Sequence, residues 1–186
     1  MSHQKTKIFG IGLQRTGTTS LYHALNQLGF KSAPHSIPLF YNINDPIITE
    51  YDAFMDNPIP HLFPNLDVTF PGSKFILTTR NINRWLNSVE WLFEKELPRL
   101  PKPLRKVANE IHEAFYGCST FHRDVFYEKW TSYHEQVFYH FEKKPEDLLV
   151  INFHEDHKWS KLCRFLDVPM PTSKDFPHFN KREKND

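Results

Sequence analysis

The sequence predicts an α/β fold of three layers, a short parallel β-sheet with helices covering both faces. Three observations carry that expectation. Short apolar runs at 7–12, 74–79 and 148–153 read as buried strands, helical periodicity fills the stretches between them, and the first run ends in a glycine turn that opens into a helix. Strands that alternate with helices pair in parallel, because each crossover helix returns the chain to the same edge. The 186 residues fit a single domain spanning 1–186.

In chain order, Lys7-Ile8-Phe9-Gly10-Ile11-Gly12 forms the first run. Leu21, Ala24, Leu25 and Leu28 then share one helical face, and Gly29 stops it. Phe30 to Pro34 can make a second short strand. Seven of the 14 prolines fall within 34–71, so regular structure there is expected to be brief and the segment to shape a pocket. After the run at 74–79 come Arg80 and Asn81, the latter suited to cap a helix whose core face is Ile82, Trp85, Leu86, Val89, Phe93 and Leu97. The break at Pro98–Pro103 precedes a helix bearing Leu104, Val107, Ile111 and Phe115. A long helix follows, and its stripe of Phe126, Trp130, Tyr133, Val137 and Phe141 reads as core. Leu148 to Phe153 is the third clear strand. Trp159, Leu162, Cys163 and Leu166 mark a last helix, ended by Val168-Pro169.

Composition excludes several classes. Apolar residues at 39% and aromatics at 15% are too many for a disordered chain. Lys and Arg number 23 against 22 Asp and Glu, so no basic stripe is available to hold nucleic acid by bulk charge, although a local anion site is still allowed. Two cysteines, Cys118 and Cys163, make no disulfide framework. His134-Glu135 lacks the second histidine that a helical zinc motif needs at 138, and His154 with His157 lacks a third ligand, so no metal is expected. No run approaches the roughly 20 apolar residues of a membrane helix, and the first residues lack a signal peptide's apolar region. The expectation is a soluble, cytoplasmic protein with neither a membrane nor a nucleic-acid partner.

The chemistry concentrates in Gly12-Leu13-Gln14-Arg15-Thr16-Gly17-Thr18-Thr19, between a strand and a helix. Its two glycines have the spacing of the nucleotide loop G-x-x-x-x-G-K-S/T. Glycines let backbone amides converge, and the positive end of a helix dipole faces whatever binds there. An ordinary strand-to-helix turn would share the glycines, but not a basic residue and three hydroxyls as well. The lysine that would reach β- and γ-phosphates is replaced by Thr18, and the basic residue sits inside the loop as Arg15. The strand end Thr78-Thr79-Arg80 also offers a cation where magnesium chemistry wants a carboxylate. The loop therefore suits phosphate groups held without a metal.

With Ser20 and Leu21 added, this loop resembles the 5′-phosphosulfate loop of the sulfotransferases that use 3′-phosphoadenylyl sulfate (PAPS), the small bacterial members in particular. Arg15, Thr16, Gly17, Thr18 and Thr19 match that family's basic residue, hydroxyl residue, glycine and two hydroxyls. Arg80 at a strand end and Ser88 eight residues on match its 3′-phosphate element, and residues 148–180 resemble its C-terminal half. Many family members have lysine in place of Arg15 and a tryptophan in place of Ser20, which leaves the adenine contact open. The resemblance implies PAPS as co-substrate, adenosine 3′,5′-bisphosphate (PAP) as product, no metal, and transfer to a hydroxyl, or less readily an amine, of a small-molecule or glycan acceptor.

On that reading Gln14 to Ser20 bind the 5′-phosphate, and Arg15 also meets the charge that grows as sulfonate departs. Arg80 is at the strand edge where open α/β sheets bind ligands, and its planar fork suits a phosphate dianion; Ser88 joins it through the spacing. Lys181 and Arg182 match basic residues that close over the 3′-phosphate in related enzymes. A general base is needed to take the acceptor's proton. His35, after the short second strand, and Asp56, in the proline-rich segment at a position that is acidic in related bacterial sequences, are both candidates, with His61 close behind. Two other readings stand beside this one: a small-molecule kinase or nucleoside triphosphatase with an altered loop, and a non-catalytic nucleotide-binding protein of the same fold.

Overall fold

Four strands form one parallel sheet in the order β2-β1-β3-β4: β1 Ile8–Gly10, β2 Ala53–Met55, β3 Lys74–Thr79 and β4 Leu148–Asn152. The structure is a computed structural model that describes residues 6–152, 155–172 and 175–177. It falls into two compact units, the first running to Thr79 and resuming at Glu146, the second spanning Arg80–Pro145. The whole sheet belongs to the first.

In the first unit, α1 (Thr18–Gln27) and α8 (Lys158–Leu166) cover one face of the sheet. Leu21 and Leu25 from α1 and Trp159 and Leu162 from α8 are buried with Ile8, Met55, Ile76 and Ile151 of the strands. Alternation along β1 turns Phe9 to the opposite face, where its ring centroid lies 6.1 Å from Phe54, 5.5 Å from Phe75 and 6.0 Å from Phe70. The helix α4 (Ile59–Thr69) packs against β1 and buries Phe63 and Leu66. The expected three layers are present.

Residues 34–71 hold more regular structure than their prolines predict. Two single-turn helices, α2 (Pro38–Tyr41) and α3 (Ile47–Glu50), precede β2, and the 11 residues of α4 follow it. Pro58 caps α4 and Pro60 falls in its first turn, where no intrahelical partner for its missing N–H exists. Only Pro64 interrupts the ladder. The strand sought at Phe30–Pro34 shrinks to one parallel bridge, Ser32 against Ala53, with the Ala33 amide donating to the Ala53 carbonyl at 2.8 Å.

The second unit is helical. Asn81 caps α5 (Ile82–Trp91) as its sequence position predicts, its Oδ1 accepting the Arg84 amide at 3.1 Å. A π-turn over Leu92–Glu96 and a short 3-10 turn lead to α6 (Lys102–Tyr116), which Gly117 ends in a left-handed conformation at φ 76°. Glycine adopts that conformation without steric penalty. The stripe of α7 (Arg123–His140), continued by Phe141, is core: Trp130 stacks on Trp85 at 4.6 Å and Phe126 meets Tyr116 at 4.3 Å. Leu104 departs from expectation and is 50% exposed, because α6 buries only its C-terminal half, through Ile111, His112, Phe115 and Tyr116.

Candidate active site

The loop after β1 is fixed from below by β3. The Ile11 amide donates to the Ile76 carbonyl at 2.8 Å, and Gly12 then runs so close to Thr78 that a side chain there would overlap the Thr78 hydroxyl. The Thr16 hydroxyl donates to the Leu13 carbonyl at 2.6 Å and lies 2.6 Å from Thr78 Oγ1. A hydroxyl has one proton, so Thr78 must be the donor in the second bond. The Thr16 amide also donates to the Leu13 carbonyl at 3.2 Å, so the loop is closed on itself and tied to the sheet.

Its upper surface has the features of an anion cradle. Arg15 (φ 69°) and Gly17 (φ 113°) are both left-handed, a conformation that turns successive amides inward. Gly17 is the N-cap of α1, so no side chain caps the helix, and the first turn contains no acidic residue. Thr18 and Thr19 therefore do not cap α1, the ordinary role such residues could have had. Gln14, Thr16, Thr18 and Ser20 are buried, and Arg15, Gly17 and Thr19 half-buried. The Arg15 charge lies within the loop and acts on Asp56.

The end of β2 supplies the carboxylate. Asp56 follows Met55 in a left-handed conformation (φ 65°), which keeps it beside the loop rather than continuing the strand. Its Oδ2 accepts from the Thr18 hydroxyl at 3.4 Å and its Oδ1 from the Asn57 amide at 2.9 Å. Desolvation raises the Asp56 carboxyl above the usual carboxylate value, against the opposing pull of those two hydrogen bonds and of the Arg15 charge. The residue as a whole keeps solvent access.

His35 is exposed. Next to it, the Ser36 hydroxyl donates to the Met55 carbonyl at 3.1 Å, which ties this segment to the end of β2. Of the two base candidates, Asp56 is hydrogen-bonded to the phosphate loop. Arg80 and Ser88 belong to the second unit, Arg80 as its first residue and Ser88 in α5, and both are half-buried. Lys181 and Arg182 lie outside the described residues. Among the described residues, no three His, Cys, Asp or Glu side chains form a group that could hold a metal ion, and no helix is long and apolar enough to cross a membrane.

Two residues at the site went unread in the sequence. Asn57 donates its side-chain amide to Gln14 Oε1 and so holds the loop from the β2 side. Thr78 locks Thr16. Its signal was available: a fully buried hydroxyl in the apolar run Phe75-Ile76-Leu77 demands a partner.

With this geometry established, comparison with known proteins gives two matches. The family model described as a sulfotransferase domain matches residues 7–47 and 40–185. The protein of Aspergillus versicolor named Ava biosynthesis cluster protein M is 28% identical over 217 aligned residues, spanning 92% of this chain and 80% of that protein.

Proposed function

This chain belongs to the sulfotransferase-domain family, and from that premise we propose that it transfers a sulfuryl group from PAPS to a hydroxyl of a small acceptor. The observation that carries the reading is the cradle itself: a loop whose backbone is closed on Thr78, whose helix has no side-chain cap, and whose cation lies within the loop. Those features fit a phosphosulfate. Thr18 occupies the position of the lysine in a triphosphatase loop and directs its hydroxyl to Asp56, which favours the sulfotransferase over the kinase reading.

PAPS supplies an activated sulfonate on a good leaving group. Around it, Arg15 and the loop amides from Thr16 to Thr19 hold the 5′-phosphate. As the acceptor oxygen forms its bond to sulfur, the bond from sulfur to the bridging oxygen breaks and the electron pair stays on PAP. Arg15 stabilises that growing charge. Asp56 takes the acceptor's proton, with His35 as the second candidate, and releases it to water. A raised carboxyl pKa makes Asp56 a stronger base than an ordinary aspartate. Arg80 and Ser88, with Lys181 and Arg182, retain the 3′-phosphate role that their sequence match implies. Positioning and electrostatics supply the catalysis, as in phosphoryl transfer. The name of the Aspergillus relative ties that protein to a biosynthesis cluster, which fits a small-molecule acceptor.

The test is thermal unfolding with nucleotides. PAP at a hundredfold excess over its dissociation constant should stabilise the protein by about 2.7 kcal/mol, and ATP with magnesium should stabilise it far less. Equal or greater stabilisation by magnesium-ATP overturns the reading.

A further inference from the structure

An open groove of about 400 Å³ runs between α2 and α4, within the size range of small-ligand sites. Leu39, Phe40 and Ile43 form one wall, and Leu62 and Val68 the other. Among the described residues, Asn65 and Thr69 are the polar ones lining it, with the Thr69 hydroxyl committed to the Asn65 carbonyl at 2.7 Å, and no charged side chain lines it. Val68 is 80% exposed, an apolar residue left open to water in a concave surface.

Both walls start at the candidate bases. Immediately after His35 comes Ser36, which is bonded to Met55 at the end of β2, and the Leu39 amide returns to the Ser36 carbonyl at 3.1 Å. Asp56 stands just ahead of α4, and its carbonyl accepts the Ile59 amide at 2.8 Å. At about 1.5 Å of rise per residue, Leu62 lies roughly one turn and Val68 roughly two and a half turns into the helix from Ile59. Both walls of the groove thus lead along the chain from the two candidate bases, within about one helical turn at Leu39 and Leu62.

We propose that the α2–α4 groove holds the body of the acceptor, and that the acceptor is an uncharged alcohol or phenol on an apolar scaffold rather than a sugar. The proposal rests on the sulfotransferase reading above and narrows it. A glycan presents several hydroxyls, and each needs a polar partner when it leaves water. This groove offers the Asn65 amide and little else. A flat or elongated apolar molecule covers the exposed leucine, phenylalanine and valine surface and leaves one hydroxyl to reach Asp56.

The experiment titrates 4-phenylphenol, a single hydroxyl on two apolar rings, into the full chain with PAP present. Saturable binding is expected, at least tenfold weaker in Val68→Asp and within about threefold of the original in Val68→Leu. Val68 is exposed, so both substitutions leave the fold intact, and the PAP-induced melting shift, measured on each variant, reports the donor site separately. Lactose should not displace the phenol. Unchanged affinity in Val68→Asp, displacement by lactose, or no saturable binding overturns the groove assignment while PAP stabilisation persists. Phenol binding that is sensitive to Val68→Asp, in a protein that PAP does not stabilise, upholds the apolar groove and overturns the donor reading.

Discussion

Gly12→Ala tests whether the loop is fixed as the hydrogen bonds suggest. An ideal Cβ at this position overlaps Thr78 Oγ1 and lies 2.6 Å from the Thr78 carbonyl oxygen and 2.8 Å from Thr16 Oγ1. Rotating Thr78 away from the new methyl breaks its bond to Thr16 and strands a buried hydroxyl. Overpacking a tight site costs typically 1–3 kcal/mol, and a lost buried hydrogen bond about 1–3 kcal/mol more. The expected loss is about 2–6 kcal/mol, which at roughly 2–4 °C per kcal/mol for a chain of this length lowers Tm by roughly 4–24 °C. The assay is a double-mutant cycle with Thr78→Ala, read by denaturant unfolding. Removing the Thr78 side chain relieves the hydroxyl overlap but not the carbonyl contact, so Gly12→Ala should cost less by about 1 kcal/mol or more in that background, yet not nothing. An equal cost in both backgrounds, or a loss below about 1 kcal/mol in the original, refutes the claim that Thr78 dictates glycine at position 12.

Three further outcomes follow from the site and the helical unit. Asp56→Asn should lower turnover on the order of 100-fold or more while PAP still stabilises the protein; His35→Ala made beside it identifies the base if it, and not Asp56→Asn, stops turnover. Because folding raises the Asp56 pKa, the carboxyl favours the folded state at low pH and loses that contribution as pH rises through its folded pKa, so Asp56→Asn should match or exceed the original stability at neutral pH. Arg80→Ala should weaken PAP by about 1.5–3 kcal/mol and leave adenosine 5′-phosphosulfate, which lacks the 3′-phosphate, unaffected; equal weakening of both removes the 3′-phosphate role. Burial lowers the His112 pKa to about 4, so its contribution is complete above the unfolded value near 6.5 and declines as pH falls. The loss approaches about 3 kcal/mol by pH 4. His112→Phe, in a ring cluster with Phe93 at 4.6 Å, should flatten that slope in denaturant midpoints taken from pH 7 to 4.5.

What the sequence made legible is local, and what it hid depends on partners far along the chain. The run into Gly12, the turn through Gly17 and the helix after it are adjacent in sequence, and each announces itself by composition. The strand β2 does not. It is three residues long, and Ala53-Phe54-Met55 becomes a strand because it registers against Ile8-Phe9-Gly10, more than forty residues earlier. Proline counting misled over α4 because the count ignores position: prolines at a helix start are harmless, and two of its three are there. The same distinction separates the site residues. Arg15 and the loop hydroxyls could be read from the motif, whereas Asn57 and Thr78 matter only through Gln14 and Thr16, and no spacing reveals those pairs. Asp56 and His35 were both base candidates in the sequence, and the bond from Thr18 to Asp56 is a contact that no spacing reveals.

On the proposed sulfuryl transfer, a carboxylate beside the loop needs an explanation, because Asp56 and a bound phosphosulfate would repel. At an effective dielectric near 20, two like charges about 4 Å apart oppose each other by about 4 kcal/mol. Arg15 sits in the field of both and offsets part of that, and solvent access at Asp56 screens more. The residual repulsion has a use. It raises the proton affinity of Asp56 further once the donor is bound, when a base is wanted. Taking the acceptor's proton then removes the like charge from the rim as negative charge moves onto the leaving bisphosphate. A histidine in the same role would begin neutral and become a cation beside that charge, attractive at the end of the step but without the initial tension. Screening by added salt weakens the coupling between a bound donor and Asp56, so the apparent pKa that governs turnover through Asp56 should fall as ionic strength rises. The comparison of Asp56→Asn with His35→Ala then assigns the base.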